Sequence, residues 1–270
     1  MRKKPSFHKY VVIGQNSRLA LDFYNEIDKE RVVSLDRKLY DNSAMQNNFI
    51  DLFKVLIKFS NTETLVLIFA GITDSKSALL TEVNYKMPLE IVKFCDFHNI
   101  STATFGTVME NQIVDNAYVT SKRKLRDSLI KNMYSKHFHF QLNTIYGNDT
   151  PPRNMFLGEM IECIQHKDEF KMSSGLQYRE YQSTRDCIIE CMKFVGKADY
   201  GVREININED FRLRELAEFI FSQLGILDKL IVDKNNEIKT EIFVRREMVH
   251  IGKSKVKVFS EILNYIQTKI

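Results

Sequence analysis

Tyr118-Val-Thr-Ser-Lys122 sets a phenol and an ammonium four residues apart, which on a helix is one turn along one face. Asn116, two residues earlier, is a natural N-cap for that helix. A tyrosine with an ordinary pKa of about 10 exchanges protons poorly at neutrality. A neighbouring positive charge favours the phenolate, so Lys122 is expected to depress the Tyr118 pKa. The pair suits proton transfer to or from a sugar or alcohol oxygen while hydride moves to or from a nicotinamide. Upstream, Ser101-Thr-Ala-Thr104-Phe-Gly-Thr107 ends a strand-like run, and the hydroxyl of Thr104 or Thr107 could bond the same reacting oxygen.

Tyr-x-x-x-Lys recurs often by chance, so its weight depends on the elements that position it. Short β-branched runs at Tyr10–Ile13, Arg31–Leu35, Thr64–Phe69, Ile100–Phe105 and His137–Leu142 alternate with helical spacing at 19–27, 49–59, 79–97 and 124–134. Continuous apolar strands separated by helices predict a parallel sheet covered on both faces, a doubly wound α/β domain of the Rossmann type. The first strand ends in Gly14-Gln-Asn-Ser17-Arg18-Leu-Ala20. Dinucleotide folds use small residues there so that a pyrophosphate can meet the helix N-terminus. Positions 14, 17 and 20 have the matching spacing, although only the first is glycine. The second strand ends near Asp36-Arg37. A carboxylate at that place accepts from an adenosine ribose diol, and an arginine receives a 2′-phosphate, so both NAD and NADP stay open.

After Asn148-Asp-Thr-Pro-Pro152 the pattern changes to helices near 154–165, 185–195 and 211–224 with an irregular polar stretch at 173–183. This predicts residues 1–147 as mainly the dinucleotide-binding domain. Residues 148–270 are then mainly a smaller substrate-binding cap, with some segments returning to the sheet.

Composition removes several classes. The chain has 270 residues, 44% of them hydrophobic, and this length can bury a core without cystine or metal staples. Lys and Arg number 39 against 35 Asp and Glu, with the signs interspersed, so nucleic acid is not implied. The basic start Met1-Arg-Lys-Lys-Pro5 precedes only a short apolar run, which is no signal-peptide h-region. No stretch nears the roughly 18 apolar residues of a membrane span, and the expected compartment is the cytoplasm. The four cysteines, Cys95, Cys163, Cys187 and Cys191, form no CxxC pair. Cys187 and Cys191 read as buried small hydrophobes. His137 and His139 share a strand face without a third ligand and read as packing or surface residues, so no metal is expected.

Taken in order, these residues resemble the extended short-chain dehydrogenase/reductase family, the NAD-dependent epimerase/dehydratase group acting on nucleotide sugars. Phe69-Ala70-Gly71 is similar to its small-residue turn after the fourth strand, and Asn84 to the asparagine of the next helix. Phe140-Gln-Leu-Asn143-Thr-Ile-Tyr-Gly147 resembles its substrate-contacting turn. Pro152-Arg153-Asn154 opens the cap, and Tyr178-Arg179-Glu180-Tyr181 is similar to the segment whose arginine meets the nucleotide diphosphate. The resemblance implies Tyr118 as general acid/base and Lys122 as the group that holds the nicotinamide ribose. Thr104 or Thr107 would orient the substrate, with Thr104 the better match to the family's Ser-Ser-Gly-Gly-Thr-Val version. Gly14, Ser17, Arg18, Asp36, Arg37, Phe69, Ala70, Gly71 and Asn84 would line the cofactor, NAD or NADP. Asn143, Arg153, Asn154 and Arg179 would contact a nucleotide-sugar substrate.

The chain also departs from the pattern. Ser17 and Ala20 replace glycines, and Lys38 to Asn61 shows no clear third strand. Met109-Glu110-Asn111 lacks the Asp-Glu pair of the 4,6-dehydratases, and only 11 to 14 residues separate the threonines from Tyr118. The expectation is therefore a ketosugar reductase or epimerase, with a slight lean to reduction, of the kind that supplies sugars for surface polysaccharide. The resemblance is also compatible with a homodimer built on the Tyr-x-x-x-Lys helix, whose face would include Leu125, Leu129 and Met133. The rival reading is a non-catalytic dinucleotide-binding scaffold that kept the fold and lost turnover.

Overall fold

A computed structural model of the chain describes residues 7–60, 63–112, 116–233 and 252–270. The basic start Met1–Pro5 lies outside them, as does Asn61. The chain divides into two units, the first made of 1–142 and 185–205, the second of 143–184 and 206–270. The break thus falls five residues before position 147, and a helix and a strand from beyond it belong to the first unit.

In chain order the first unit begins with β1 (Lys9–Ile13), α1 (Arg18–Glu26) and β2 (Val32–Ser34). Two helices follow, α2 (Arg37–Gln46) and α3 (Ile50–Leu56), where the sequence shows no third strand. Then come β3 (Thr64–Ile68), a π-helical turn (Glu82–Lys86) continuous with α4 (Met87–Phe97), β4 (Ser101–Thr107), α5 (Ala117–Asn132) and β5 (His137–Leu142). The second unit supplies β6 (Thr144–Tyr146), α6 (Phe156–His166), β7 (Phe170–Met172), β8 (Tyr178–Arg179) and β9 (Tyr181–Ser183). The chain returns with α7 (Thr184–Lys197) and β10 (Gly201–Ile205), and ends with β11 (Phe211–Arg212), α8 (Leu213–Gln223), β12 (Leu230–Val232) and α9 (Lys255–Gln267).

Six strands form one sheet in the order β10-β5-β4-β3-β1-β2, every pairing parallel. Because the chain leaves β1 toward β2 and then crosses back to β3, the order reverses between β1 and β3, where α/β sheets bind ligands at their carboxyl edge. Period-2 alternation divides the strand side chains between two covered faces. On one face a row of rings runs Tyr10, Phe23, Phe69, Phe105, Phe140 and Phe194, with centroids 4.6 to 6.3 Å apart, and joins α1 and α7 to the strands. On the other, Val11, Ile13, Val66 and Ile68 pack with Tyr40, Leu52, Leu56, Met87, Ile91, Leu125 and Leu129. Leu125 and Leu129 are therefore core rather than a dimer face, and only Met133, 84% exposed, faces outward.

The second unit has its own core. Tyr146, Met160, Phe170, Phe211, Leu216, Phe221, Val258 and Ile262 pack together from α6, α8, α9 and three two-stranded pairings, β6 with β9, β7 with β12 and β8 with β11. Among the described residues no helix is long and apolar enough to cross a membrane.

Candidate functional site

Parallel pairing places the carboxyl ends of β1, β3, β4 and β5 on one edge, so Gly14, Phe69–Gly71 and Phe105–Thr107 gather there. At the reversal of strand order, Gly14 is buried with φ +92°, and a Cβ on it would fall 2.3 Å from the backbone N of Ala70. Both Phe69 and Ala70 donate their N–H to the carbonyl of Ile13. Ser17 bonds back to Gly14 through its N–H and caps α1 by accepting from Ala20 N at 3.1 Å. Arg18 opens α1 and is half-buried. This turn is therefore tight with one glycine, a serine cap standing where a second glycine was expected.

At the end of β2, Asp36 caps α2 by accepting from Lys38 N at 2.7 Å, and the exposed Arg37 pairs with Asp41. Phe69 sends its ring into the aromatic row between Phe23 and Phe105, so what it offers the edge is its backbone. Asn84, fully buried in the π-helical turn, bonds both N–H and carbonyl of Ile72 at 2.8 Å and donates to Ser121 Oγ at 3.2 Å. It holds the segment after Gly71 against α5. Widened helical turns of this kind recur at functional sites.

Asn116 caps α5, accepting from Tyr118 N and Val119 N. Tyr118 then falls in the first turn, half-buried, and Lys122 one turn on. Lys122 shares its helical stripe with Leu125 and Leu129, so it is carried under the helix. It is 8% exposed, and its Nζ donates to the Phe105 carbonyl at 2.9 Å. A Cβ on Gly71 would lie 3.5 Å from the same Nζ, which brings the β3 and β4 ends together at this ammonium. Burial pushes the Lys122 pKa down, and the negative charge of Glu110 partly offsets that.

The expected depression of the Tyr118 pKa is reversed in the structure. Burial first, and Glu110 second, push it up to about 12. The phenol is a proton donor at rest.

The two threonines separate. Thr104 is 1% exposed, and its hydroxyl bonds His137 Nε2 at 3.0 Å and His139 Nδ1 at 2.8 Å. Thr107 ends β4, half-buried, and its hydroxyl accepts from Met109 N at 3.3 Å to cap a 3₁₀ turn over Val108–Asn111. The Glu110 carboxylate completes that capping box by accepting from Thr107 N at 2.9 Å.

Sequence reasoning passed over what lies beneath α5. On the helix-facing side of β4 and β5, Thr102, Thr104 and Gly106 stand beside His137, His139 and Gln141. Thr102 Oγ1 lies 2.7 Å from His137 Nδ1, and His139 Nε2 lies 3.0 Å from Glu110 Oε2. Gln141 Nε2 donates to the same Oε2 at 3.0 Å. Burial alone would raise the Glu110 pKa. The His139 hydrogen bond and charge, with Gln141 and the Thr107 amide, bring it below the ordinary carboxylate value. Burial, with the neighbouring His139, pushes His137 well below the usual imidazole range. One direction of donation satisfies every link, from Thr102 O–H to His137 Nδ1, from His137 Nε2 to Thr104, from Thr104 to His139 Nδ1 and from His139 Nε2 to Glu110. The signal was available in the unpaired histidine alternation and in Glu110 three residues after Thr107.

In the second unit Asn143 donates to Glu180 Oε2 and to Asn206 Oδ1, each at 3.0 Å. Glu180, 5% exposed, also accepts from Ile207 N, Asn208 N and Gln182. Arg179 donates to the Tyr178 carbonyl. Arg153, exposed, pairs with Glu162 at 2.6 Å, and with Asn154 it lines a hollow of about 460 Å³.

No family model and no curated protein matches this chain by sequence. The likeness is one of structure. The chain is similar to dTDP-4-dehydrorhamnose reductase from Bacillus anthracis in complex with NADP, with a TM-score of 0.73 and 15% identity over 98% of this chain and 100% of that one. It is similar to UDP-N-acetylglucosamine 4-epimerase from Methanobrevibacter ruminantium in complex with UDP-N-acetylmuramic acid, with a TM-score of 0.70 and 13% identity over 97% and 98% of the two chains. A dTDP-glucose 4,6-dehydratase from Streptomyces venezuelae with NAD bound gives 0.67 and 11%, over 96% and 97%. The shared property is the fold.

Proposed function

We propose that the chain is an NAD(P)-dependent oxidoreductase of the extended short-chain dehydrogenase/reductase family. Its substrate would be a nucleotide-activated sugar, with reduction of a ketosugar as the favoured direction and epimerisation through a keto intermediate as the alternative. The observation that carries this reading is the buried Lys122 ammonium, one turn from Tyr118, beside Gly71 at the edge where strand order reverses. An apolar side chain would fill that place at lower desolvation cost, so packing alone does not account for an ammonium there.

The residues fit a dinucleotide. Gly14, whose positive φ suits glycine, lets the turn close against the Ala70 backbone, and the N-terminus of α1 with Ser17 and Arg18 supplies donors for a pyrophosphate. Asp36 and Arg37, at the end of β2, are assigned to an adenosine ribose, by either the carboxylate or the guanidinium. A bound nicotinamide accepts or supplies the hydride. Tyr118, protonated at rest, donates its proton to the substrate oxygen in the reductive direction. Lys122 stabilises the phenolate left behind, and the Thr107 hydroxyl orients the substrate oxygen. Asn143, Arg153, Asn154 and Arg179 are assigned to the nucleotide sugar, Arg179 to its diphosphate. A cytoplasmic enzyme serving polysaccharide biosynthesis, paired as a homodimer through the end of α5 that exposes Ile130 and Met133, goes with this reading.

The test is a titration of NADH and NADPH fluorescence with the protein, followed by turnover of a panel of dTDP- and UDP-linked 4-ketosugars by wild type and Tyr118→Phe. Cofactor binding with a rate at least a hundredfold lower in Tyr118→Phe supports the assignment. Turnover untouched by Tyr118→Phe refutes the acid/base role, and failure to bind either nucleotide refutes the function. Binding without turnover of any ketosugar favours the non-catalytic dinucleotide-binding reading, which the loss of two loop glycines also supports.

A further inference from the structure

The most unusual feature of the first unit is a carboxylate placed, at some structural expense, beside a buried ammonium it does not touch. Glu110 is 1% exposed and its carboxylate takes three donors, Thr107 N, His139 Nε2 and Gln141 Nε2. Its backbone is clamped as firmly. Arg123 Nε and Arg126 Nη1 from α5 donate to the Glu110 carbonyl at 3.0 and 2.6 Å, and Arg123 also reaches the Gln112 carbonyl. Gly106 makes the room, since a Cβ there would fall 2.0 Å from Glu110 Oε1.

Lys122 hangs from the carbonyl of Phe105, and Glu110 from the amide of Thr107. The two charges therefore bracket the single residue Gly106. They form no contact ion pair, yet in this buried setting the carboxylate's field favours the charged form of Lys122.

We propose that Glu110 is a positioning residue for the Tyr118–Lys122 pair, acting as the fixed counter-charge of the buried Lys122 ammonium. This rests on the reading of Tyr118 and Lys122 as the reacting pair. A desolvated ammonium with one carbonyl partner tends to lose its proton, and with it the charge that stabilises a phenolate. A carboxylate locked by three donors supplies the missing field without consuming the ammonium in a direct bond. It also disfavours the phenolate before substrate arrives, leaving Tyr118 loaded as a proton donor. The other charged and titratable groups here are His137 and His139 from β5, Tyr118, Arg123 and Arg126 from α5, and Glu204 from β10, which Asn111 reaches at 3.3 Å. The arginines engage backbone carbonyls rather than the carboxylate.

The experiment follows the ¹³Cε resonance of Lys122, assigned by its loss in Lys122→Met, against pH in the ligand-free protein. In Glu110→Gln, which keeps the side chain's shape, the Lys122 midpoint is expected to fall by about one to two pH units, a ten- to hundredfold change in its protonation constant. Glu110→Asp keeps the charge but withdraws it by one methylene, and should lower the midpoint by a fraction of that, which covers the case in which Glu110→Gln does not fold. A midpoint unchanged in whichever variant folds overturns the proposal. In the ketosugar assay the alkaline limb of kcat should move to lower pH in step with the midpoint. A limb that stays put while the midpoint moves also overturns the role in the reaction. Absence of turnover in wild type would instead refute the proposed function, and the Lys122 titration would remain readable.

Discussion

Thr104→Val distinguishes a substrate-orienting hydroxyl from a structural one, because it keeps the side chain's shape and removes only the oxygen's bonds. In the fold that oxygen links His137 Nε2 and His139 Nδ1 at 1% exposure, so its removal leaves two buried imidazole nitrogens without partners. A buried polar atom left unsatisfied costs about 1–3 kcal/mol. The methyl that replaces the hydroxyl returns about 0.8 kcal/mol of burial. The net expectation is a loss of about 3 kcal/mol. At about 2–4 °C per kcal/mol for a unit of this size, the melting temperature should fall by roughly 6–12 °C. Thr107→Val should behave oppositely. It gives up one capping bond, worth about 1 kcal/mol, while kcat/KM for the ketosugar drops on the order of 10²- to 10³-fold as a donor to the reacting oxygen is removed. Circular dichroism melts and steady-state kinetics on both variants are sufficient. A Thr104→Val protein that melts within 2 °C of wild type but has lost activity would refute the division of roles.

Three further outcomes follow from the same geometry. His137 is held neutral below its ordinary pKa of 6.5, so the unfolded chain binds the extra proton; stability should be level above about pH 6.5 and fall by up to about 1.4 kcal/mol per pH unit below it, a slope that urea melts across pH 5–8 should show and His137→Gln should flatten. Gly14→Ala demands φ +92° of a residue with a Cβ and drives that atom to 2.3 Å from the Ala70 backbone; a loss of more than about 2 kcal/mol together with loss of NAD(P)H fluorescence enhancement is expected, and retained cofactor affinity would refute the phosphate-loop assignment. Lys122→Met removes the ammonium at unchanged length but leaves the buried Glu110 carboxylate without its counter-charge and the Phe105 carbonyl without its donor, so its urea midpoint should fall, by up to about 3–5 kcal/mol of stability, while turnover disappears.

The sheet was legible in sequence because five strands are continuous β-branched or aromatic runs, and parallel strands buried on both faces must be so. β10 was less legible, since Gly201-Val-Arg-Glu-Ile205 at the sheet edge is only partly buried and reads as polar. α2 was missed because Arg37-Lys-Leu-Tyr-Asp-Asn-Ser-Ala buries only Tyr40, Ser43 and Ala44, too thin a stripe to announce a helix. α9 was missed because it lies beyond the last segment with a clear pattern, although Val258, Phe259, Ile262 and Ile266 fill the second core. At the candidate site, spacing alone put Tyr118 and Lys122 on one helix. Spacing could not say which threonine faces inward, since two residues of the same chemistry three apart differ only in the bend at the end of β4. Nor could it pair Glu110 with His139, 29 residues away, because that contact exists only once β4 and β5 are side by side.

The position of the polar residues carries its own argument. On β1 and β3 the face under α2–α5 is Val11, Ile13, Val66 and Ile68, while on β4 and β5 the same face is Thr102, Thr104, Gly106, His137, His139 and Gln141. Apolar residues there would bury more surface and desolvate nothing, so a sequence shaped for stability alone would continue the aliphatic pattern. The departure begins where the sheet passes under the helix that bears Tyr118 and ends at the carboxylate that brackets Lys122. Local disagreement between hydrophobic pattern and fold tends to mark function. Gly106→Ala tests this with one methyl group, since its Cβ would meet Glu110 Oε1 at 2.0 Å and His139 Nε2 at 2.7 Å. If the ladder serves only packing, the variant loses stability and keeps its pH profile once folded. If the ladder places the carboxylate, the folded fraction should also show the alkaline limb of kcat displaced toward lower pH.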